Sequence, residues 1–455
     1  MKNYIENCLD KGFTPMIVKL REFKKKGTVP FAICVERQAG YRYRYDLNVL
    51  PGKNAENEEM VERLIKSILW VTGGFKIYLG GNDELAQKMV QVFSHTGARK
   101  FDVEFMERVY GKKFEVIASS LEEVPASVNA SLPAGGHLDG ARIGFDAGGS
   151  DRKVSAVIDG KSIYSEEVVW FPKTNEDPQY QYDGILDSFR TAQKKIEEAG
   201  RKVDAIGVSS AGIYIDNEIR VASLFVKVPQ DVFDKKVPQI YINAAKEIGE
   251  DIPLVVANDG DVTALAGAMS LGHGCVLGIA MGTSEAAGYI NKDGNLNGWL
   301  SELAFVPVDY NHDAMVDEWS LDYGCGVKYF SQDGVIKLAP LAGIELDPTL
   351  SPAEKLKVVQ GLMAKDDPRA RKIYETIGVY LGYSVAYYSE FYDIKDLLLL
   401  GRVTSGKGGD IIIDVANQVV RDLFPEYKDA NIQMPDEKAR RVGQSIAAAS
   451  LPEIK

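Results

Sequence analysis

A glycine-rich segment that follows an apolar run has the residue types needed to bind phosphate. Asp146 ends the run ARIGF, and Gly148, Gly149 and Ser150 come directly after it. Glycines have no Cβ, so their backbone N–H groups can approach phosphate oxygens, and the Ser150 hydroxyl adds a donor. Asp146 is placed to hold a hydrated Mg²⁺ that shields the phosphate charge. A plain hairpin turn has the same composition, so this segment alone is a weak indication.

A second polar pair, Asn258 and Asp259, lies between the apolar run PLVVA and the helical pattern VTALAGAM. A carboxylate at the end of a strand, beside a helix N-terminus, is positioned to act as a general base. An aspartate at the start of a helix can also be a cap, and Asp261 fits that role better than Asp259 does. Asp261 is thus the better candidate for the cap, and for Asp259 both the cap and the general base stay open at this point.

Two later turns repeat this arrangement of an apolar strand followed by small residues. The first is Gly282-Thr283-Ser284 after CVLGIAM, and it would bind phosphate in the same manner. The second follows LLLLG and contains Gly401, Gly406 and Gly408. Its backbone is suited to contact with a flat base and a ribose. Each turn alone resembles an ordinary loop, and their order along the chain gives them weight.

The pattern of strands and helices places these segments in two similar α/β lobes. Residues 141–260 show the order β-β-β-α-β-α-β, with three strands in hairpin order before the first crossover helix. A similar rhythm begins after Gly274 and predicts a second lobe over 261–435. A closing helix is predicted over 436–449 and assigned to the first lobe. Two such lobes imply a central cleft between them.

Residues 1–138 are predicted to form a separate α/β domain of unknown role. FAICVE and KFDVEFM are interpreted as strands, and Glu56 to Leu69 as an amphipathic helix. The stretch VPASVNASLPAGGHLDG is rich in Pro, Gly, Ser and Ala and marks a linker. A later segment, WFPKTNEDPQYQYDG, is interpreted as an ordered loop, with a place at the rim of the cleft as the alternative.

Composition and charge exclude several classes of protein. The chain has 455 residues, with 53 Lys and Arg against 65 Asp and Glu, which gives a net charge of −12. Such a charge disfavours nucleic-acid and anionic-membrane partners. The four cysteines are widely spaced without a CxxC pair, so they predict neither a disulfide framework nor a zinc cluster. Neither a signal peptide nor an 18-residue apolar run is evident, and we expect a cytoplasmic protein.

The ordered motifs resemble a known family. From residue 141 to the C-terminus the chain is similar to the actin-like ATPase superfold, with its ribonuclease H-like lobes, and within it to the ROK sugar kinases. DAGGS resembles the family's DxGGT motif, and NDGDVTALAGA resembles NDANAAALGE. GTSEAAGYI is similar to GTGIGGGII, and GWLSELAF, from Gly298, to GxxGEIGH.

The resemblance implies ATP-dependent phosphorylation of a sugar hydroxyl, on a hexose or an amino sugar. Asp259 would be the general base, and Asn258 and Glu302 would bind sugar hydroxyls. The glycine turns would bind ATP, and Asp146 would hold Mg²⁺ through water. ATP and Mg²⁺ are therefore the expected cofactors, a small sugar the expected partner, and a homodimer is possible.

Several positions depart from the family pattern. Phe305 occupies the position of an expected zinc-binding histidine and no CxC occurs, so no zinc site is expected. GCGVKYFS, from Gly324, resembles the family's GCLEAYAS, and Val327 stands where that motif has a sugar-binding glutamate. Ser284, Glu285 and Ala286 replace glycines, and a carboxylate at Glu285 would repel the γ-phosphate unless it points away or meets Mg²⁺.

These departures leave two other functions open. The alternative is a catalytically degenerate sensor or assembly module that binds nucleotide or sugar without turnover. A DNA-binding repressor, the other known role of ROK proteins, is disfavoured by the acidic charge and by the lack of a clear helix-turn-helix pattern near the start.

Overall fold

The computed structural model describes residues 3–52, 55–129, 135–435 and 437–454. The chain divides into two compact units. The first unit comprises Met1–Ala130, Ile279–Ala287 and Trp299–Met434, and the second comprises Ser131–Gly278, Gly288–Gly298 and Pro435–Lys455. Residues 1–130 thus fall in one compact unit with 299–434. The assignment of residues 1–138 to a domain of their own stays a prediction.

The N-terminal part of the first unit is a four-stranded sheet with helices. The strands are β1 (Val29–Glu36), β2 (Arg42–Val49), β3 (Lys76–Gly80) and β4 (Glu115–Ser119), in the order β2-β1-β3-β4. The helices are α1 (Met16–Lys26), α2 (Ala55–Thr72), α3 (Asp83–Val92) and α4 (Lys100–Tyr110). The strand predicted from FAICVE and the helix predicted from Glu56 are confirmed as β1 and α2.

The strand predicted from KFDVEFM is wrong, because this segment begins helix α4. Charged and apolar residues alternate in the sequence, which is the period of a half-buried strand. Asp102 is nevertheless buried, and a 2.6 Å hydrogen bond from Nε1 of Trp70 to its Oδ1 compensates for the lost contact with water. The buried positions therefore follow a helical spacing, and Gly111 ends the helix in a left-handed conformation at φ 60°.

The second unit contains a five-stranded sheet made of the five strands that the sequence predicts for this region. The strands are β5 (Ala141–Ala147), β6 (Asp151–Ile158), β7 (Lys161–Val169), β8 (Ala205–Ser210) and β11 (Leu254–Asn258), in the order β11-β8-β5-β6-β7. β5, β6 and β7 pair antiparallel, whereas β8 is parallel to both β5 and β11. A short hairpin of β9 (Ile213–Ile215) and β10 (Glu218–Val221) lies between β8 and β11 in the chain.

Helices cover this sheet and build the core of the second unit. They are α5 (Gln179–Glu198), α6 (Gln230–Lys236), α7 (Ile240–Lys246) and α8 (Asp259–Leu271), with α13 (Glu437–Ala449) at the C-terminal end. α13 packs directly on β5 and β8. A Cβ on Gly144 would overlap the carbonyl oxygen of Ser445, and one on Gly207 would overlap that of Ala448. Glycine is therefore required at both positions.

The remaining elements of the chain form a second α/β region. The strands β12 (Val276–Met281), β13 (Glu285–Ile290), β14 (Asp396–Leu400) and β15 (Asn431–Gln433) have the order β13-β12-β14-β15. The helices are α9 (Gln332–Leu341), α10 (Pro352–Ala364), α11 (Pro368–Tyr388) and α12 (Lys407–Leu423). Within the described ranges, the helices all fall short of the length and apolarity needed to cross a membrane.

Candidate active site

Asp146 lies near the carboxyl end of β5 and is buried in the second unit. Its Oδ1 accepts a 2.8 Å hydrogen bond from Oγ of Ser209 on the adjacent strand β8. Burial raises the pKa of Asp146 to about 6, the bond from Ser209 opposes this rise, and the charge of Asp259 adds to it. A buried carboxylate with a hydroxyl as its donor gains from a divalent cation, so Asp146 fits a hydrated Mg²⁺.

The turn from Gly148 to Ser150 is held at both ends by Trp170. Its indole Nε1 donates a 2.8 Å hydrogen bond to the carbonyl of Gly148, and its backbone N donates to the carbonyl of Ser150 at 3.1 Å. A Cβ on Gly149 would lie 2.9 Å from Cε and 3.0 Å from Nζ of Lys173. The turn is therefore fixed in shape, with an ammonium group beside it.

Sequence reasoning missed Lys173. The residue lies in a short 3-10 helix, Pro172–Thr174, within the segment that was interpreted as an ordered loop. The pairing of Asp151 with Val169 in β6 and β7 returns the chain to the turn that follows β5. The sequence does contain an indication of this position. A single lysine follows the predicted hairpin, and the register of that hairpin returns the chain to the turn after β5.

Asn258, not Asp261, caps helix α8. The Oδ1 of Asn258 accepts a 2.7 Å hydrogen bond from the backbone N of Gly260, and its Nδ2 donates to the carbonyl of Gly212 at 2.7 Å. Asn258 has extended backbone angles, as an N-cap requires, whereas Asp261 is already inside the helix. Asp261 instead accepts a 3.2 Å hydrogen bond from the backbone N of Tyr289. The expected cap at Asp261 is therefore wrong.

Asp259 is the first residue of α8 and is partly buried. Burial raises its pKa, while a 3.0 Å hydrogen bond from the backbone N of Gly260 and the charge of Lys173 lower it. Its own backbone carbonyl accepts from Nε2 of Gln444 on α13 at 3.3 Å. The second unit thus brings Asp146, the glycine turn, Lys173 and Asp259 into one electrostatically coupled group.

In the first unit, the turn from Gly282 to Ser284 joins β12 to β13. Gly282 N donates a 2.9 Å hydrogen bond to the carbonyl of Ser284, while the side chains of Thr283 and Ser284 are exposed. Arg402 donates to Oγ1 of Thr283 at 3.0 Å. Gly401 has φ 97°, and a Cβ there would overlap the backbone of Met281. The turn and the Gly401 segment are therefore neighbours.

Gly406 and Gly408 lie at the start of α12. Gly406 is the N-cap residue with φ 73°, and a Cβ on Gly408 would lie 2.5 Å from the ring of Tyr374. Close packing on α11 thus accounts for a glycine at 408. Contact with a nucleotide stays a prediction for both residues.

Glu285 is buried, and its carboxyl oxygens are shielded from solvent. The side chain is 3% exposed, and neither carboxylate oxygen has a hydrogen-bond partner among the described residues. Burial raises the pKa of Glu285 well above its ordinary value, and the charge of Glu302 raises it further. A Cβ on Gly326 would lie 2.5 Å from Oε2 of Glu285. Burial and the raised pKa both favour the neutral form of this carboxyl. Its effect on a bound phosphate stays a prediction.

Phe305 and Glu302 lie in the segment that follows β13. Phe305 stacks on Trp70 at a ring-centroid distance of 4.2 Å and also contacts the rings of Phe101 and Phe105. Glu302 donates its backbone N–H to the carbonyl of Trp70 at 3.0 Å. Among the residues that the structure describes, there is no cluster of three or more His, Cys, Asp and Glu suited to a metal ion.

Comparison with solved structures identifies the fold. A ROK hexokinase from Thermus thermophilus is 17% identical, with a TM-score of 0.52 over 68% of this chain and 97% of the hexokinase. A ROK family transcriptional regulator, a homologue of the E. coli MLC protein, is 16% identical, with a TM-score of 0.51 over 68% of this chain and 76% of the regulator. No protein-family model and no curated protein sequence matches the chain.

These similarities confirm the predicted class, an α/β protein of the actin-like ATPase type. Within that class the chain has the fold of ROK proteins. Because these two neighbours are a hexokinase and a transcriptional regulator, the fold alone does not select an activity.

Proposed function

We propose that the chain transfers the γ-phosphoryl group of ATP to a hydroxyl of a hexose or amino sugar, with Asp259 as the general base. The observation that carries this proposal is the coupled group of Asp146, the turn 148–150, Lys173 and Asp259 in the second unit. This group combines a turn suited to phosphate, a lysine ammonium, a carboxylate suited to a metal ion and a carboxylate that can accept a proton.

Each residue has a distinct task in this reaction. The N–H groups of the turn and the Lys173 ammonium hold phosphate oxygens, and Asp259 accepts the proton of the attacking hydroxyl. Burial raises the pKa of Asp259, which makes its carboxylate a stronger base than an exposed one. Mg²⁺, bound through water at Asp146, would neutralise phosphate charge.

Asn258 and Glu302 stay the residues predicted to bind sugar hydroxyls. Asn258 also caps α8 and bonds to Gly212, so a sugar hydroxyl would meet an amide whose orientation is already fixed. Glu302 supplies a carboxylate, which is a good acceptor for neighbouring hydroxyl groups. Transfer through a loose transition state depends mainly on such positioning and on charge neutralisation.

A panel assay tests this proposal. We expect ADP release, measured with a coupled assay in the presence of Mg²⁺, to depend on one or a few hexoses or amino sugars. A reaction without sugar gives the background of ATP hydrolysis. Nucleotide binding by calorimetry with no turnover on any sugar would contradict the kinase assignment and favour the sensor function. Cytoplasmic location and a homodimer stay predictions.

A further inference from the structure

Helix α2 presents one continuous face to the segment 301–325 of the first unit. The contacting residues are Glu59, Arg63, Lys66 and Trp70, and their spacing of four, three and four residues places them on one side of a helix. At the first of these positions, Nε2 of His312 lies 2.8 Å from Glu59. The contacts continue along the helix to its C-terminal end.

The middle of this face is a buried ionic cluster centred on Asp322. Its Oδ2 lies 2.7 Å from Arg63, 2.8 Å from Lys66 and 2.9 Å from Arg99. These cations hold the pKa of Asp322 well below its ordinary value, against the effect of burial. Arg63 also lies over the ring of Tyr323 at 3.6 Å from its centroid.

Two further carboxylates balance the remaining charge of the cluster. Glu62 pairs with Arg99, and Asp102 lies 3.8 Å from Lys66. Three cations therefore meet three carboxylates in a buried site. Such clusters tolerate little displacement, because moving one member leaves a buried charge without its partner.

The C-terminal end of α2 holds the backbone that carries Glu302. The carbonyl of Trp70 accepts from Glu302 N at 3.0 Å, and the carbonyl of Val71 accepts from Ser301 N at 2.9 Å. The last four carbonyls of a helix have no partner within the helix, so they are free to accept these bonds. The ring of Trp70 meanwhile stacks on Phe305.

Ser301 shows that this backbone is held in a demanding conformation. Its φ of 50° is in the left-handed region, which non-glycine residues rarely adopt. Besides the bond to Val71, Oγ of Ser301 lies 3.2 Å from the hydroxyl of Tyr392. A residue keeps such a conformation only when its surroundings fix it.

We propose that α2 is the positioning element for Glu302, and that residues 1–130 therefore help to place a residue that binds the acceptor. This inference depends on the proposed function, because the role of Glu302 comes from it. It also gives a task to the N-terminal residues, in which sequence reasoning found no chemistry.

Substitution of the aromatic pair tests the inference. In Trp70→Leu and Phe305→Leu we expect the KM for the sugar to rise about tenfold, a loss of about 1.4 kcal/mol of binding. The KM for ATP should change less than twofold, and Trp70→Phe should restore most of the sugar affinity. Phe189→Leu, in the core of the second unit, is the control for general destabilisation. It should lower the Tm without raising the KM for the sugar.

Amide hydrogen exchange gives a second readout that does not need activity. In both leucine variants the peptide spanning 299–305 should exchange at least tenfold faster, while a peptide spanning 146–152 should not change. Unchanged exchange in 299–305 would overturn the inference, and so would faster exchange with an unchanged KM for the sugar. A wild-type protein without turnover on any sugar would remove the proposed function and the acceptor role of α2. The exchange result would still decide whether α2 holds Glu302.

Discussion

Oγ of Ser209 lies 2.8 Å from Oδ1 of Asp146, on the neighbouring strand of the same sheet. This hydrogen bond favours the ionised carboxylate, yet burial outweighs it and raises the pKa of Asp146 to about 6. The ionised form that would bind Mg²⁺ is thus maintained at neutral pH at a cost in folding stability.

Asp146→Asn should stabilise the protein at neutral pH. Between about pH 4 and pH 6 the folded state holds a proton on Asp146 that the unfolded state has lost, so the free energy of unfolding falls as the pH rises. Asp146→Asn has no titrating carboxyl at this position, so its free energy of unfolding does not fall in this way. We expect that free energy to exceed the wild-type value by roughly 1–3 kcal/mol at pH 7.5 and to differ little from it at pH 4. Urea unfolding at both pH values measures the difference.

Asp251→Asn is the control for this prediction, because Asp251 is exposed in the same unit. It should leave the free energy of unfolding almost unchanged at both pH values. A destabilised Asp146→Asn variant at pH 7.5 would contradict the account of this residue.

Lys173→Met should weaken nucleotide binding. Because the ammonium lies beside the turn at Gly149, its loss removes a positive charge from the phosphates, and we expect the KM for ATP to rise about tenfold. Lys161→Met, at the exposed start of β7, is the matched control and should change the KM less than twofold. Equal effects of the two substitutions would show that Lys173 acts only through the overall charge.

Glu285→Gln should leave activity within about threefold of the wild type, since glutamine resembles the neutral carboxyl that burial favours at this position. Because the pKa of Glu285 is raised in the folded state, the free energy of unfolding of the wild type falls as the pH rises above the ordinary pKa of a glutamate. This fall should be absent in Glu285→Gln. Thermal unfolding from pH 5 to pH 8 measures it, with Glu250→Gln as an exposed control. A Glu285→Gln variant that is less stable than the wild type at pH 8 would indicate an ionised Glu285.

The five strands of the second unit and the hairpins of β5, β6 and β7 could be predicted because they depend on local patterns. Hairpin turns and crossover helices both leave signals in consecutive residues, and these signals gave β5, β6, β7, β8 and β11. Helix α4 could not be predicted in this way. Its alternation of charged and apolar residues is misleading because Asp102 is buried by a hydrogen bond from Trp70, which is distant in the sequence.

The candidate site could be predicted in part for the same reason. Asp146 and Asp259 each come at the end of an apolar run, so the sequence predicts their positions at strand ends. Lys173 reaches the turn through the register of a hairpin, and the raised pKa of Glu285 depends on burial and on the charge of Glu302. Both of these are tertiary relationships, which a single sequence does not display.

The central claim, that Asp259 is the base in phosphoryl transfer, is tested most directly by the turnover of Asp259→Asn. Asp261→Asn is the matched control, because Asp261 is on the same helix and bonds to Tyr289. We predict that Asp259→Asn lowers kcat by about 10²- to 10⁴-fold while ATP still binds, and that Asp261→Asn keeps kcat within about threefold. Wild-type turnover in Asp259→Asn would contradict the account.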